Sequence, residues 1–183
     1  MNNLITAAGK LTAGKGHILK DIDDVEKIDW ENWQPQEKAV IVYIRTNSGI
    51  VLIEKKTGLG AGKINGPGGR IEKGETPEEA AVRECREEIG VTPLSLSLGA
   101  EISFIFKDGY SLFGYAFTAD GYTGTLIETD EAKPFICREE DLPYDRMWED
   151  DLYWLPQVLS GKKATGRFIF DNDKMLSRSV SFT

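Results

Sequence analysis

Histidine is nearly absent from this sequence, with His17 the single example. That rules out a site built on two imidazoles and disfavours Ser–His–Asp or Cys–His nucleophilic pairs. Cysteine is almost as scarce: Cys85 and Cys137 are too few for a disulfide framework and read as reduced thiols of a cytoplasmic protein. No apolar run approaches the roughly 18 residues that cross a bilayer, so no membrane contact is expected. The stretch MNNLITAAGKLTAGKGH also lacks the apolar core of a signal peptide. Positive charge is short as well, with 22 Lys and Arg against 30 Asp and Glu and a net charge of −8. A long nucleic acid is therefore an unfavourable partner, whereas a small phosphorylated molecule neutralised by a metal ion is not.

What is present is ordinary globular composition, 40% apolar with four tryptophans. A chain of 183 residues is expected to fold as one domain that buries about two thirds of its unfolded surface. Residues 1–36 show no sustained period and read as an N-terminal extension, packing Trp30 and Trp33 on the domain or on a dimer partner; the chain is expected to be a monomer or a homodimer. A GKxxxGK look-alike there lacks the preceding strand and the Lys-Ser/Thr ending of a phosphate loop. Residues 37–183 read as one α/β domain, with about seven strands in a mixed sheet and two helices. Strands are expected at 39–44, 50–54, 94–106, 110–119, 133–137, 166–170 and 178–182. A helix is expected over 149–159, with Leu152, Leu155 and Leu159 on one face, Gly161 as its stop and Pro156 bending it or marking its first turn.

The most informative stretch runs from Gly66 to Val91. Thr76 as N-cap, Pro77 at the first helical position and Glu79 three residues after Thr76 form a capping box, and Gly90 suits a left-handed C-cap. A helix over 77–89 follows, with Ala81, Val82, Cys85 and Ile89 as its buried stripe. Glu84, Glu87 and Glu88 share another face at spacings where like charges repel. Convergent carboxylates suggest a hard divalent cation, Mg²⁺ first, and Arg83 could hold one carboxylate by a bidentate bond. Upstream, six glycines fall between Gly58 and Gly69, a density that demands positive φ or close backbone approach to a ligand.

Gly69, Glu75, Arg83, Glu84, Cys85, Glu87, Glu88, Gly90 and Val91 fill the spacing G-x5-E-x7-R-E-U-x-E-E-x-G-U, where U is apolar. This resembles the Nudix box. Cys85 stands where Leu, Ile or Val is usual, and is small and apolar enough to pack there. The segments GLGAGKINGPGG, ETDEAKP and MWEDDLYWLPQVLSGKKATGRFIF look like the MutT-related, mammalian-type oxidised purine nucleoside triphosphatases, a similarity spanning residues 39–182. The resemblance implies a Nudix-type α/β/α sandwich around a mixed β-sheet. It implies Mg²⁺, with Mn²⁺ as a substitute, held by Glu84, Glu87, Glu88, Glu131 and the Gly68 carbonyl. It also implies cleavage of substrates such as 8-oxo-dGTP and 2-hydroxy-dATP between α and β phosphorus, giving monophosphate and pyrophosphate. Glu84 and Glu88 both stay open as the general base, while Arg83 and Glu75 are expected to orient the others. Lys55, Asn65, Trp148, Asp150 and Asp151 are carried over as substrate contacts, with Phe104 packing the base and Pro67, Gly68, Gly69 and Arg70 supplying the loop.

The same pocket residues make chemical sense unaided. A purine needs a flat apolar wall and a few aimed polar groups. Trp148 supplies the wall, Asn65 a donor and an acceptor, and the adjacent aspartates accept from ring N–H groups or, if one keeps a proton, donate to an oxo group. The bland reading of WEDD is a helix N-terminus whose carboxylates complement the dipole. Two other functions stay open: a Nudix hydrolase of ADP-ribose, nucleotide sugars or dinucleoside polyphosphates, and a non-catalytic nucleotide-binding regulator, against which the intact box argues.

Overall fold

The structure is a computed structural model that describes residues 22–183. His17 and the GKxxxGK look-alike lie outside the described residues. In chain order the elements are β1 (Glu37–Thr46), β2 (Gly49–Lys55), β3 (Ile64–Asn65), α1 (Pro77–Ile89), β4 (Val91–Pro93), β5 (Ser97–Phe106) and β6 (Ser111–Ala119). They continue as β7 (Tyr122–Gly124), β8 (Ala132–Cys137), α2 (Asp151–Leu159), β9 (Ala164–Asp171) and β10 (Lys174–Phe182). The seven expected strands are all present. The additional β3, β4 and β7 hold two or three residues each, too short to leave a period in sequence.

Eight strands form one sheet in the order β10-β9-β5-β6-β1-β2-β3, with β8 also paired to β2. β1 runs parallel to β6 and β5 parallel to β9; the other neighbours are antiparallel. Alternation along β1 builds two cores at once. Val40, Val42 and Ile44 join Ala80, Ala81, Cys85 and Ile89 of α1 on one face. Tyr43 joins Trp154, Leu155, Val158 and Leu159 of α2 on the other. The result is the expected α/β/α sandwich. A third cluster sets Ile22, Val25, Ile28 and Trp33 against Ile105 of β5 and Ile169 of β9.

Both helices depart from their sequence pattern in one respect. In α1 the capping box forms as read, with Thr76 and Glu79 exchanging side-chain-to-backbone bonds and Gly90 at φ 75. Its buried face, however, takes in Ala80 and Glu88 and leaves Val82 only partly covered. In α2 the buried stripe is Asp151, Trp154, Leu155, Val158 and Leu159, while Leu152 is 52% exposed. Leu152 therefore does not share the face of Leu155 and Leu159, because the i, i+3, i+4 set starting from Asp151 wins the core.

Candidate active site

The glycine loop uses its glycines in two ways. Gly58, Gly60 and Gly62 have positive φ and turn the chain from β2 back to β3, where the Lys55 N–H donates to the Lys63 carbonyl and the Gly62 N–H to the Lys55 carbonyl. Gly66 and Gly68 instead lie against β1. A Cβ on Gly68 would sit 2.1 Å from the Val40 carbonyl oxygen, and one on Gly66 2.5 Å from that of Val42. The close approach demanded by these two glycines is thus to a strand rather than to a ligand. Val40 and Val42 N–H donate to the carbonyls of Gly69 and Pro67, and the intervening Gly68 N–H points the other way and donates to Glu88 Oε2 at 2.9 Å.

Glu88 is 1% exposed and accepts a second bond on Oε1 from Lys55 Nζ at 2.9 Å. A carboxylate this deep is tolerable because both oxygens are engaged by an ammonium and an amide. Arg83 grips Glu75 through two bonds of 2.7 and 2.9 Å, and its remaining nitrogen reaches Glu84 at 2.8 Å and Glu87 at 3.0 Å. The Arg83 fork therefore takes Glu75 bidentately rather than Glu87. That contact holds the Glu75 carboxyl down at about 2. Glu84 moves the opposite way: burial pushes its carboxyl up, with Arg83 partly countering. Among the described residues no three acidic, cysteine or histidine side chains converge on one point.

A cavity of about 450 Å³ opens beside these carboxylates, lined at one end by Glu84, Glu88, Gly68, Gly69, Lys55 and Glu131. At the other end it is lined by Asn65, Phe104, Trp148, Asp150 and Asp151. Asp150 and Asp151 are 1% and 3% exposed. Trp154 Nε1 donates to Asp150 Oδ2 at 2.9 Å, whereas Asp150 Oδ1 is buried without a partner among the described residues. Asp151 accepts from the Trp148 N–H at 3.2 Å and the Tyr43 hydroxyl at 3.4 Å. Burial pushes both carboxyls up, and the neighbouring Asp150 charge raises Asp151 further. Trp148 stands edge-on to Phe106 and Phe170 at 6.1 and 5.5 Å, with Lys63 Nζ 4.9 Å from its ring centre.

The NUDIX domain family model matches residues 35–158. The chain belongs to the NUDIX family. Along 133 residues this NUDIX chain is 40% identical to the oxidized purine nucleoside triphosphate hydrolase of Mus musculus, covering 72% of the chain and 85% of that protein. It is 39% identical over 128 residues to the protein of the same name from Danio rerio, covering 69% of the chain and 82% of the relative. The crystal structure of a MutT protein from Bacillus halodurans superimposes with a TM-score of 0.71 at 22% identity, over 79% of the chain and 97% of that structure, which supports the fold.

The NUDIX helix and loop bring together most of the residues singled out by sequence, but not all. Glu87 is 58% exposed at its side chain and lies outside the cavity lining, as does the buried Pro67, whose carbonyl is spent on β1. Arg70 reaches the lining from the rim, where it is exposed and bonded to Glu37 at 2.7 Å. Three contributors escaped the sequence: Tyr43 and Trp154, which hold the aspartates from behind, and Phe106, which adds a ring to the cavity wall. Trp154 had a signal, since it stands four residues after Asp150 on a helix. Tyr43 had a weaker one, as the lone hydroxyl in the apolar run AVIVYI. Among the described residues no helix is long and apolar enough to cross a membrane.

Proposed function

We propose that this NUDIX hydrolase cleaves oxidised purine nucleoside triphosphates, 8-oxo-dGTP and 2-hydroxy-dATP among them, to the nucleoside monophosphate and pyrophosphate. It thereby clears damaged precursors from the nucleotide pool. The observation that carries this reading is the buried Asp150 Oδ1, unpartnered among the described residues, on an aspartate that lines the same cavity as Glu84 and Glu88. A buried acceptor without a partner costs about 1–3 kcal/mol, a cost that a ligand N–H removes on binding. With the purine against Trp148, Asp150 accepts from ring N–H groups. Two buried carboxyls this close do not both ionise, so one of the pair keeps a proton and donates to an oxo or hydroxyl substituent. Asn65 adds a donor and an acceptor at the cavity edge, and Phe104 and Phe106 close the apolar side.

At the phosphate end, the donor set is all hard oxygen: Glu84, Glu88 and Glu131 on the lining, the Gly68 carbonyl, and Glu87 beside them. That chemistry fits Mg²⁺, with Mn²⁺ as a working substitute. When bound, the ion neutralises phosphate charge and lowers the pKa of the attacking water. Lys55 lies within reach of the same space and offers its ammonium to phosphate oxygens. Glu75 fixes Arg83, and Arg83 in turn fixes Glu84 and Glu87. Glu84 and Glu88 are the two candidates for accepting the water's proton. The buried Cys85 and the free Cys137 suit a reducing, cytoplasmic setting, and nothing in the site requires more than one protomer.

Steady-state turnover of 8-oxo-dGTP, 2-hydroxy-dATP, dGTP and ADP-ribose with Mg²⁺ tests the proposal. The oxidised triphosphates are expected to lead in kcat/KM and to release pyrophosphate. Preferential hydrolysis of ADP-ribose would overturn the substrate assignment.

A further inference from the structure

Residues of β5 alternate between the two faces of the sheet. Ile102, Phe104 and Phe106 line the cavity described above, and Glu101 and Ser103 line a second one of about 310 Å³ on the opposite face. Two pairs of rings frame it. Trp30 and Trp33 stand edge to face at 5.3 Å, Phe113 and Tyr115 do the same at 4.9 Å, and Trp33 leans over Phe113 at 6.5 Å. Trp33 is 7% exposed, and its indole Nε1–H is buried with no partner among the described residues.

The floor is ordered by strand register. Lys38, Phe113, Ser103 and Arg167 lie side by side on β1, β6, β5 and β9, and Tyr115, Glu101 and Thr165 form the adjacent row. With neighbouring strands about 4.8 Å apart, Lys38 and Arg167 flank the first row at roughly 14 Å. Arg167 stacks over Trp30 at 5.3 Å from the ring centre. Among the described residues that line the cavity, Lys38 and Arg167 are two cations against the carboxylate of Glu101, in a chain whose net charge is −8.

We propose that this second cavity is a binding site for a nucleoside monophosphate, distinct from the catalytic one. The ring faces around the cavity offer a base a stacking surface, a sequence-tolerant contact. Glu101 accepts from a base N–H. Arg167 and Lys38 receive the phosphate from either side. The volume sits at the low end for ligand sites, a size that suits a mononucleotide. This site does not depend on the reaction assigned to the first cavity.

The test is fluorine NMR of the full chain labelled with fluorotryptophan, with Trp30 and Trp33 assigned by single Trp→Phe variants. Titration with AMP is expected to shift the Trp30 and Trp33 signals saturably, while ribose phosphate without a base leaves them in place. The double variant Lys38→Gln, Arg167→Gln should weaken the AMP response by roughly tenfold or more, the effect of losing charge-assisted bonds. Its triphosphate hydrolysis should be unchanged. Trp30 and Trp33 signals that stay still at millimolar AMP would overturn the proposal. So would a response undiminished in the double variant, or one that ribose phosphate reproduces.

Discussion

Replacing Asp150 by Asn should make the protein more stable and less discriminating at the same time. Asp150 is 1% exposed, with Trp154 Nε1 at 2.9 Å on one oxygen and, among the described residues, no partner on the other. Burial raises its carboxyl, so the folded protein keeps a proton that the unfolded chain gives up above the ordinary aspartate value of about 3.9. Stability from this group is therefore fully present at low pH and is lost as pH rises through the raised value. Asparagine keeps an acceptor for Trp154 and removes the titration. Neutralising a buried, poorly paired charge should add roughly 1–3 kcal/mol at pH about 8 and little at pH about 5. For a chain of this size that is about 2–4 °C in Tm per kcal/mol. The same change turns an acceptor toward ring N–H groups into a mixed donor and acceptor. Losing one hydrogen bond to a charged group, about 1.5–3 kcal/mol, should cut the 8-oxo-dGTP to dGTP ratio of kcat/KM by about 10- to 150-fold. Thermal unfolding at the two pH values and the paired kinetics read both effects. A lower Tm at pH about 8 with an unchanged ratio would refute the reasoning on both counts.

Three further outcomes follow from the carboxylate end. Glu88→Gln should lower kcat by about 100-fold or more with Mg²⁺ while leaving circular dichroism unchanged, since its carboxylate is the one bound by both Lys55 and Gly68; near-wild-type turnover would contradict the role. Glu75 is held at about 2 by Arg83, so its stabilising effect is present above the ordinary glutamate value of about 4.3 and fades as pH falls toward about 2. Glu75→Gln should therefore flatten that acid limb of the unfolding curve, and an unaltered limb would speak against the pairing. Gly69→Ala would place a Cβ 2.5 Å from Glu84 Oε1, a side-chain end that can swing aside, whereas Gly68→Ala would meet the Val40 backbone at 2.1 Å. The first should cost activity with little change in Tm, and the second should cost about 1–3 kcal/mol or more of stability; the reverse order would undo the reading of the loop.

How much of this was legible in the sequence depended on whether a signal was local. The capping box, the left-handed Gly90 and the glutamate spacing are encoded within one helix, and they formed as read. The helix spacing sets Glu88 with Glu84 and Glu87 on a face apart from the apolar stripe but does not show its burial, which depends on Lys55 and Gly68 arriving from other segments. Leu152 was misplaced for a related reason: a buried Asp151 takes a core position that hydrophobicity alone gives to leucine. The partners behind the aspartates, Tyr43 from β1 and Trp154 from α2, meet only in the folded sheet. The second cavity was invisible for the same reason, since its floor is a row of residues drawn from four strands.

The proposed function requires one cavity to join a carboxylate end for phosphate to an aspartate end for an oxidised base. A crystal structure with 8-oxo-dGTP and Ca²⁺ in place of Mg²⁺ measures it directly. The base is expected against Trp148, with Asp150 and Asp151 within hydrogen-bonding distance of it and the phosphates toward Glu84 and Glu88. A base seated away from both aspartates, or phosphates turned away from those glutamates, would contradict it.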